Sequence, residues 1–347
     1  MPSPVFQATK EYNASVQERL VLDSETISQA AQRGKIADLP DGGIIRADGG
    51  KAWDPAWFDF LRASCPDTVN PALWRHAQLN AISGLFEVTD GVWQVRSADY
   101  ANMTIISGAT GWIIVDPLLT TESARAALNL VNATCGERPV SAVLVTHTHA
   151  DHFGGWGGVV DEGAGTPVSV PKDFMIYAAA EGVLGGNHTS RRAIDQFGLA
   201  LPFGPEGLVD GGIGKTLARG HRGFRAPTHE ISEDDPHVLI DDVPFEFLMG
   251  SGTEAPAEFT FFLPDHHVLC MAEVCTQTQH NLLTPRGAEV RDARLWAKVI
   301  DEARVRFGAR TDVLINSHNW PVWGQDGVHQ FMLEQRDIYK YVHDQTL

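Results

Sequence analysis

Cysteine is scarce in this chain and nowhere paired. Cys65, Cys135, Cys270 and Cys275 are its only four thiols in 347 residues, and no two stand in a CxxC spacing. A disulfide framework and a cysteine-zinc knuckle are therefore not expected. Positive charge is also short: 27 Lys and Arg against 44 Asp and Glu give a formal net charge of −17. A field of that sign argues against nucleic acid as a partner, and any anion site must carry its own local positive charge. No apolar run reaches spanning length, so stable membrane insertion is not expected. The opening Met1-Pro2-Ser3-Pro4-Val5-Phe6 lacks a basic start followed by an apolar stretch. No secretory signal is visible there, so a cytoplasmic location is the default expectation. A periplasmic or secreted location stands as the alternative if the N-terminus is processed.

What the chain does have is apolar bulk and turns. With 43% hydrophobic residues it can bury a sizeable core in one large domain or two ordinary ones. Its 33 Gly and 19 Pro suit a β-rich fold with long loops. The densest chemistry lies in Val143-Leu144-Val145-Thr146-His147-Thr148-His149-Ala150-Asp151-His152-Phe153-Gly154-Gly155. An apolar, β-prone run ends, and three His and one Asp follow within six residues. His147 and His149 alternate, so both can face one side of an extended segment. Imidazole and carboxylate at this density suit zinc, iron or manganese.

Around this stretch the chain reads as two similar halves. Residues 1–60 are expected to be an extension wrapped on the domain formed by residues 61–347. Short helices are predicted over Trp53 to Arg62 and Pro71 to Leu79, the latter capped by Asn70. Strand-like runs follow at Leu85–Val88, Val92–Val95, Thr104–Ser107 and Trp112–Val115, the last ended by Asp116-Pro117. A helix from Thr121 to Asn132 leads to a strand over Val143–Thr146, which puts the His cluster at a strand's carboxyl end. Phe174–Gly182 and Arg191–Gly198 read as helical. Gly211-Gly212-Ile213-Gly214-Lys215-Thr216 superficially resembles a phosphate loop, but Val209 stands where the first glycine is required. A second meander covers His237–Ile240, Pro244–Met249, Phe259–Leu263 and Val268–Met271. After it come a helix from Asp292 to Phe307, a strand over Asp312–Asn316, and a helix from Gln325 to His343 with Val328, Phe331, Ile338 and Val342 inward. Two sheets packed face to face with helices outside are expected.

Four ligand-type residues cannot close two metal sites, so further ligands are sought just past apolar runs in the second half. Glu254, Glu273 and His318 each occupy such a position. Glu258 competes with Glu254, which is preferred because it sits at the strand end.

Thr146-His147-Thr148-His149-Ala150-Asp151-His152 resembles the signature of metallo-β-lactamase-fold hydrolases. A closer resemblance is to their alkylsulfatase branch. It is carried by Asp67-Thr68-Val69-Asn70-Pro71, Gly84 to Gly91, Ala101-Asn102-Met103-Thr104, Gly252-Thr253-Glu254-Ala255-Pro256-Ala257-Glu258, His280-Asn281-Leu282 with Arg286-Gly287-Ala288, and Ser317-His318-Asn319-Trp320-Pro321-Val322-Trp323-Gly324. The His motif points only to the superfamily; the Thr-Glu-Ala-Pro-Ala-Glu and His-Asn-Trp-Pro blocks are more specific. The resemblance implies an α/β fold, a four-layer αβ/βα sandwich with two zinc ions. It assigns His147, His149 and Glu254 to one zinc, and Asp151, His152 and His318 to the other. Glu273 bridges the two beside a water that the metals activate. Manganese or iron would suit so carboxylate-rich a site as well. The implied reaction is hydrolysis of alkyl sulfate esters to alcohol and inorganic sulfate, and the implied partner is that small-molecule substrate.

Sulfate oxygens match planar guanidinium forks. The resemblance carries Asn281, Arg286 and Arg291 into the anion pocket; for Arg291, pairing with Asp292 or Glu289 is the competing reading. Phe153, Trp156, Trp320 and Trp323 flank the ligands and are candidates for an apolar wall. Members of the branch continue into a helical dimerisation region and a sterol-carrier-like domain. The present 347 residues contain neither, which leaves a homodimer open. Two alternatives remain: a hydrolase of the same fold acting on a lactone, thioester or phosphoester, and a metal-binding domain without activity.

Overall fold

The structure, a computed structural model, describes residues 5–22, 24–161 and 163–347. Met1 to Pro4, part of the stretch read for a signal, lie outside the described residues. Two mixed sheets make up the body. The first has eight strands in the order Lys35–Ala37, Gly84–Thr89, Val92–Arg96, Met103–Ser107, Trp112–Val115, Val140–Leu144, Val168–Pro171 and His229–Ile231. Its neighbours are antiparallel as far as Trp112–Val115 and parallel beyond it. The second has six strands in the order His237–Ile240, Val243–Met249, Phe259–Leu263, Val268–Cys270, Val313–Ile315 and Val322–Trp323. Only Val268–Cys270 and Val313–Ile315 pair in parallel there.

Side-chain alternation along the strands sorts the apolar residues into layers. Ile105 and Ile114 join Leu128 and Val131 of the helix Thr121–Cys135 on the outer face of the first sheet. Their neighbours Ile106 and Ile113 point the other way, into a middle core shared with Phe245, Phe259 and Phe261 of the second sheet. Phe262 and Leu269 turn outward again, onto Trp296, Ile300 and Phe307 of the helix Ala293–Phe307 and Met332 and Tyr339 of the helix Gln325–Thr346. A period of two, applied to strands apolar on both faces, thus generates three cores between four layers. This is the expected αβ/βα sandwich. The leading segment contributes the helices Gln7–Arg19 and Glu25–Gln32, and Lys35–Ala37 adds an edge strand beside Gly84–Thr89.

Several expectations need correction. The strand before the His cluster ends at Leu144, so Val145 and Thr146 already belong to the loop. Strands Lys35–Ala37, Val168–Pro171 and His229–Ile231 were not anticipated. All three are short, one ends in Pro, and two lie at the sheet's edges. Ile338 does not face inward but is 36% exposed, and Val328, Met332 and Tyr339 carry the buried face of that helix. The would-be phosphate loop holds a buried lysine: Lys215 Nζ donates to Asp210 Oδ2 at 2.8 Å and to the carbonyls of Ala77 and Val209.

Candidate metal centre

The His-rich loop leaves the first sheet where the parallel strands Trp112–Val115 and Val140–Leu144 end side by side. A 3-10 turn over Ala150–His152 brings Asp151 and His152 back under His147. The rings of His147 and His152 lie 4.0 Å apart, and that of His318 lies 5.2 Å from His152. Glu254, Glu273 and His318 arrive from loops of the second half. Ser317 N donates to Ala272 O, and Met271 N to Ile315 O, so the Glu273 and His318 loops are laced together.

Of the three groups of side chains that result, two share Glu273. His147, His149, Glu254 and Glu273 form one, and Asp151, His152, Glu273 and His318 the other, each with its ligand atoms within 4.8 Å of one another. Glu273 belongs to both. Its Oε2 lies 3.2 Å from His147 Nε2 and 3.7 Å from His149 Nδ1, while its Oε1 touches His318 Nε2 and lies 3.9 Å from His152 Nε2. His149 Nδ1 is 2.8 Å from Glu254 Oε2, and His152 Nε2 is 3.2 Å from Asp151 Oδ2.

The donor set fits divalent cations. His147 Nε2, His152 Nε2, His318 Nε2, Glu254 Oε2 and Glu273 Oε1 are buried without a hydrogen-bond partner among the described residues. Buried polar atoms are normally satisfied. Four orphans converging on the Glu273 carboxylate, itself with an orphaned oxygen, are what a pair of nitrogen- and oxygen-liganded ions would satisfy. The electrostatics agree. Burial opposes ionisation of Glu273, yet His318, His147 and His149 hold its carboxyl well below the usual range. Burial likewise disfavours a charged His149, but Glu254, Glu273 and Glu181 outweigh it and raise the ring to about 10.

Asp116, Glu258, His280 and Glu181 were not assigned to the site from sequence. Asp116, a strand-ending residue at φ 55°, accepts from Thr146 N and Oγ1 at 2.8 Å each and from Ser317 Oγ at 2.7 Å, and faces His152 Nδ1 at 3.0 Å. With His147 and His152 it forms the third group of candidate ligand atoms, and its bonds to Thr146, Ser317 and His152 suit it to orienting those rings. Glu258, the rejected rival of Glu254, lies beneath that residue. Its Oε2 accepts from Thr253 Oγ1 and from the backbone N–H groups of Glu254 and Ala255. Burial, then the charge of Glu254, pushes its carboxyl up to about 8. The His280 ring aims an unpartnered Nε2 at Glu254 Oε1, 3.5 Å away. The signal for Asp116 was present in its position past a strand, the criterion that selected Glu254, Glu273 and His318.

Residues 96–318 match the Metallo-beta-lactamase superfamily model. The chain belongs to the metallo-beta-lactamase superfamily. Within this superfamily it is 45% identical over 345 residues to the alkyl/aryl-sulfatase BDS1 of Saccharomyces cerevisiae, covering 98% of this chain and 53% of that one. It is 41% identical over 350 residues to a linear primary-alkylsulfatase of a Pseudomonas species, covering 99% and 52%. Among solved structures it superimposes on the stereoselective inverting sec-alkylsulfatase Pisa1 from Pseudomonas with a TM-score of 0.95 and 42% identity, over 99% of this chain and 55% of that one. The chain spans about half the length of the curated relatives it matches.

In this superfamily member a cavity of about 190 Å³ opens beside His149 and Glu254. Tyr177, Ala180, Ala255, Pro256, Ala288 and Val290 supply its less polar wall. The four aromatics proposed as that wall do not line it. Phe153 and Trp156 pack with Phe174 and Phe224, Trp320 lies against His76, and Trp323 lies under Arg33. They are large, so the sandwich uses them to fill its own core and helix contacts. The three anion-pocket candidates all have partners. Arg291 lines the cavity, and its guanidinium contacts Glu254 Oε1, His280 Nδ1 and the Asn281 carbonyl and side chain, not Asp292 or Glu289. Asn281 is exposed and bonds to Leu283 O and Arg291. Arg286 Nε donates to Glu181 Oε1 at 2.8 Å.

Proposed function

We propose that this site hydrolyses alkyl sulfate esters to an alcohol and inorganic sulfate with two divalent cations, zinc foremost and manganese or iron as alternatives. The observation that carries the reading is the pair of ligand groups joined through Glu273, with their unpartnered atoms converging. The names of the alkylsulfatases it resembles over nearly its whole length support the choice of substrate. His147, His149 and Glu254 would hold one ion, Asp151, His152 and His318 the other, and Glu273 both. Bound there, such ions act as Lewis acids and lower the pKa of water.

The chain's own residues do the rest. Asp116 fixes the orientation of His152, leaving Nε2 to face the cluster. Arg291 neutralises and aligns Glu254. Arg286 and Asn281 recognise the sulfate, the guanidinium through its fork of donors. The wall from Tyr177 to Val290 takes the alkyl chain and excludes water from it.

Incubating the metal-loaded protein side by side with dodecyl sulfate and with a lactone tests the reading. Inorganic sulfate should be released while the lactone is spared, and gentle purification should retain about two metal ions per chain. Lactone turnover without sulfate release, or less than one ion per chain, would remove it.

A further inference from the structure

The wall of the cavity contains a turn of unusual helix. Phe174–Ala179 and Gly186–Gln196 are α-helical, and the five residues Ala180–Leu184 between them form a π-helix. Such turns are rare overall and frequent at functional sites. The side chain aimed here is Glu181. One of its oxygens takes the Arg286 Nε–H at 2.8 Å, and the other lies 3.6 Å from His149 Nε2. Glu181 is thus a carboxylate suspended between the guanidinium that recognises the anion and a residue of the metal centre.

Little else holds it there. Within the whole 174–196 stretch only Phe174 and Ala178 are buried, while Ile176, Val183 and Leu184 are 64–84% exposed. Among the described residues, the 285–291 loop makes its hydrogen bonds to this stretch through Arg286, whose backbone N–H also reaches Gln196 Oε1. The pair is largely withdrawn from solvent, with its side chains 12% and 26% exposed, so the guanidinium is costly to leave without an anion and Glu181 can leave it only in exchange for another. The pairing is also single: Glu181 uses one oxygen and Arg286 Nε alone, where a guanidinium can offer a fork.

We propose that Glu181 is an internal competitor for the substrate's anion: its carboxylate occupies at Arg286 the place the sulfate group takes, and binding exchanges one for the other. This rests on the alkylsulfatase reading above. The exchange is neutral in charge for a monoanionic ester, so the guanidinium is never left unpaired in a confined site. When the alcohol has left, the returning carboxylate helps expel inorganic sulfate. Glu181 is accordingly a specificity and release residue and takes no proton in the reaction.

Titrating inorganic sulfate calorimetrically into the metal-loaded protein and into Glu181→Gln tests the exchange. The amide keeps the size and an acceptor oxygen but not the charge. Sulfate should bind the variant at least about threefold more tightly, and the KM for dodecyl sulfate should fall with sulfate inhibition strengthened. In an Arg286→Gln background the same substitution should change sulfate affinity by less than about twofold, since the contested guanidinium is gone. Equal or weaker sulfate binding by Glu181→Gln, a raised KM, or no sulfate binding by either protein overturns the proposal; a raised KM is what a merely structural ion pair would give. The titration needs no turnover, so failure of the exchange and failure of the hydrolase reading register separately.

Discussion

His152 Nδ1 lies 3.0 Å from Asp116 Oδ2, and the same carboxylate collects Thr146, which precedes His147, and Ser317, which precedes His318. One buried acid therefore ties together the loops that carry three ligand candidates from two halves of the chain. Asp116→Asn keeps the shape but replaces one acceptor oxygen by a donor, so it cannot serve all of these partners. Removing such an outer partner typically costs 10- to 100-fold in metal affinity. Competition against a chelator should show a loss of about that size for Asp116→Asn, with the circular dichroism spectrum unchanged. Affinity equal to that of the unaltered protein would mean that the loops hold themselves.

Asp116 also shows where sequence reasoning stops. His147 to His152 are legible because their chemistry is compressed into six positions after an apolar run. Glu254, Glu273 and His318 are legible because each follows a strand. The contacts that make them a site are not. Asp116 meets His152 across 36 residues and Ser317 across 201, and Glu181 meets Arg286 across 105. Nothing local distinguishes a carboxylate that caps a strand from one that orients a ligand. The aromatic wall failed for the same reason: proximity in sequence placed Phe153 and Trp156 near the ligands, but the strand-to-helix turn points them into the helix-side core. The layers were readable because doublets such as Ile105-Ile106 and Phe261-Phe262 assign their own faces. The short edge strands, with too few residues to show a period, were not.

Asp99 gives a pH prediction at a group that is not itself a ligand candidate. It is 1% exposed, and its Oδ1 accepts from Tyr100 N at 2.7 Å and Ala218 N at 3.1 Å. Burial is the main cause that pushes its carboxyl up to about 6, with the charge of Asp151 adding to it. The folded value thus lies above the ordinary aspartate value of about 3.8. The protonated form favours folding, so its contribution is complete below that value and is lost as pH rises through about 6. Two pKa units correspond to about 3 kcal/mol. Asn retains the acceptor oxygen and does not ionise. Urea unfolding of Asp99→Asn and the unaltered protein should agree within error near pH 4 and separate by up to about 3 kcal/mol in the variant's favour at pH 8. A difference that is constant across this range would contradict the assignment.

The cavity wall makes a prediction about chain length. On the proposed alkylsulfatase reading, long-range attraction does not gather the anionic ester onto a chain of net charge −17, so affinity has to come from local donors and from apolar burial. Each methylene transferred from water is worth about 0.8 kcal/mol, close to a fourfold change in binding. Across a series of linear alkyl sulfates, KM should fall by up to about fourfold per methylene and then level off once the wall from Tyr177 to Val290 is covered. Val290 is 72% exposed at the rim, where replacement need not disturb a core. Val290→Asp should flatten the series by placing a charge against the chain, leaving kcat for the shortest ester nearly unchanged. A series already flat in the unaltered protein would mean that the alkyl group stays in solvent and that recognition ends at the sulfate.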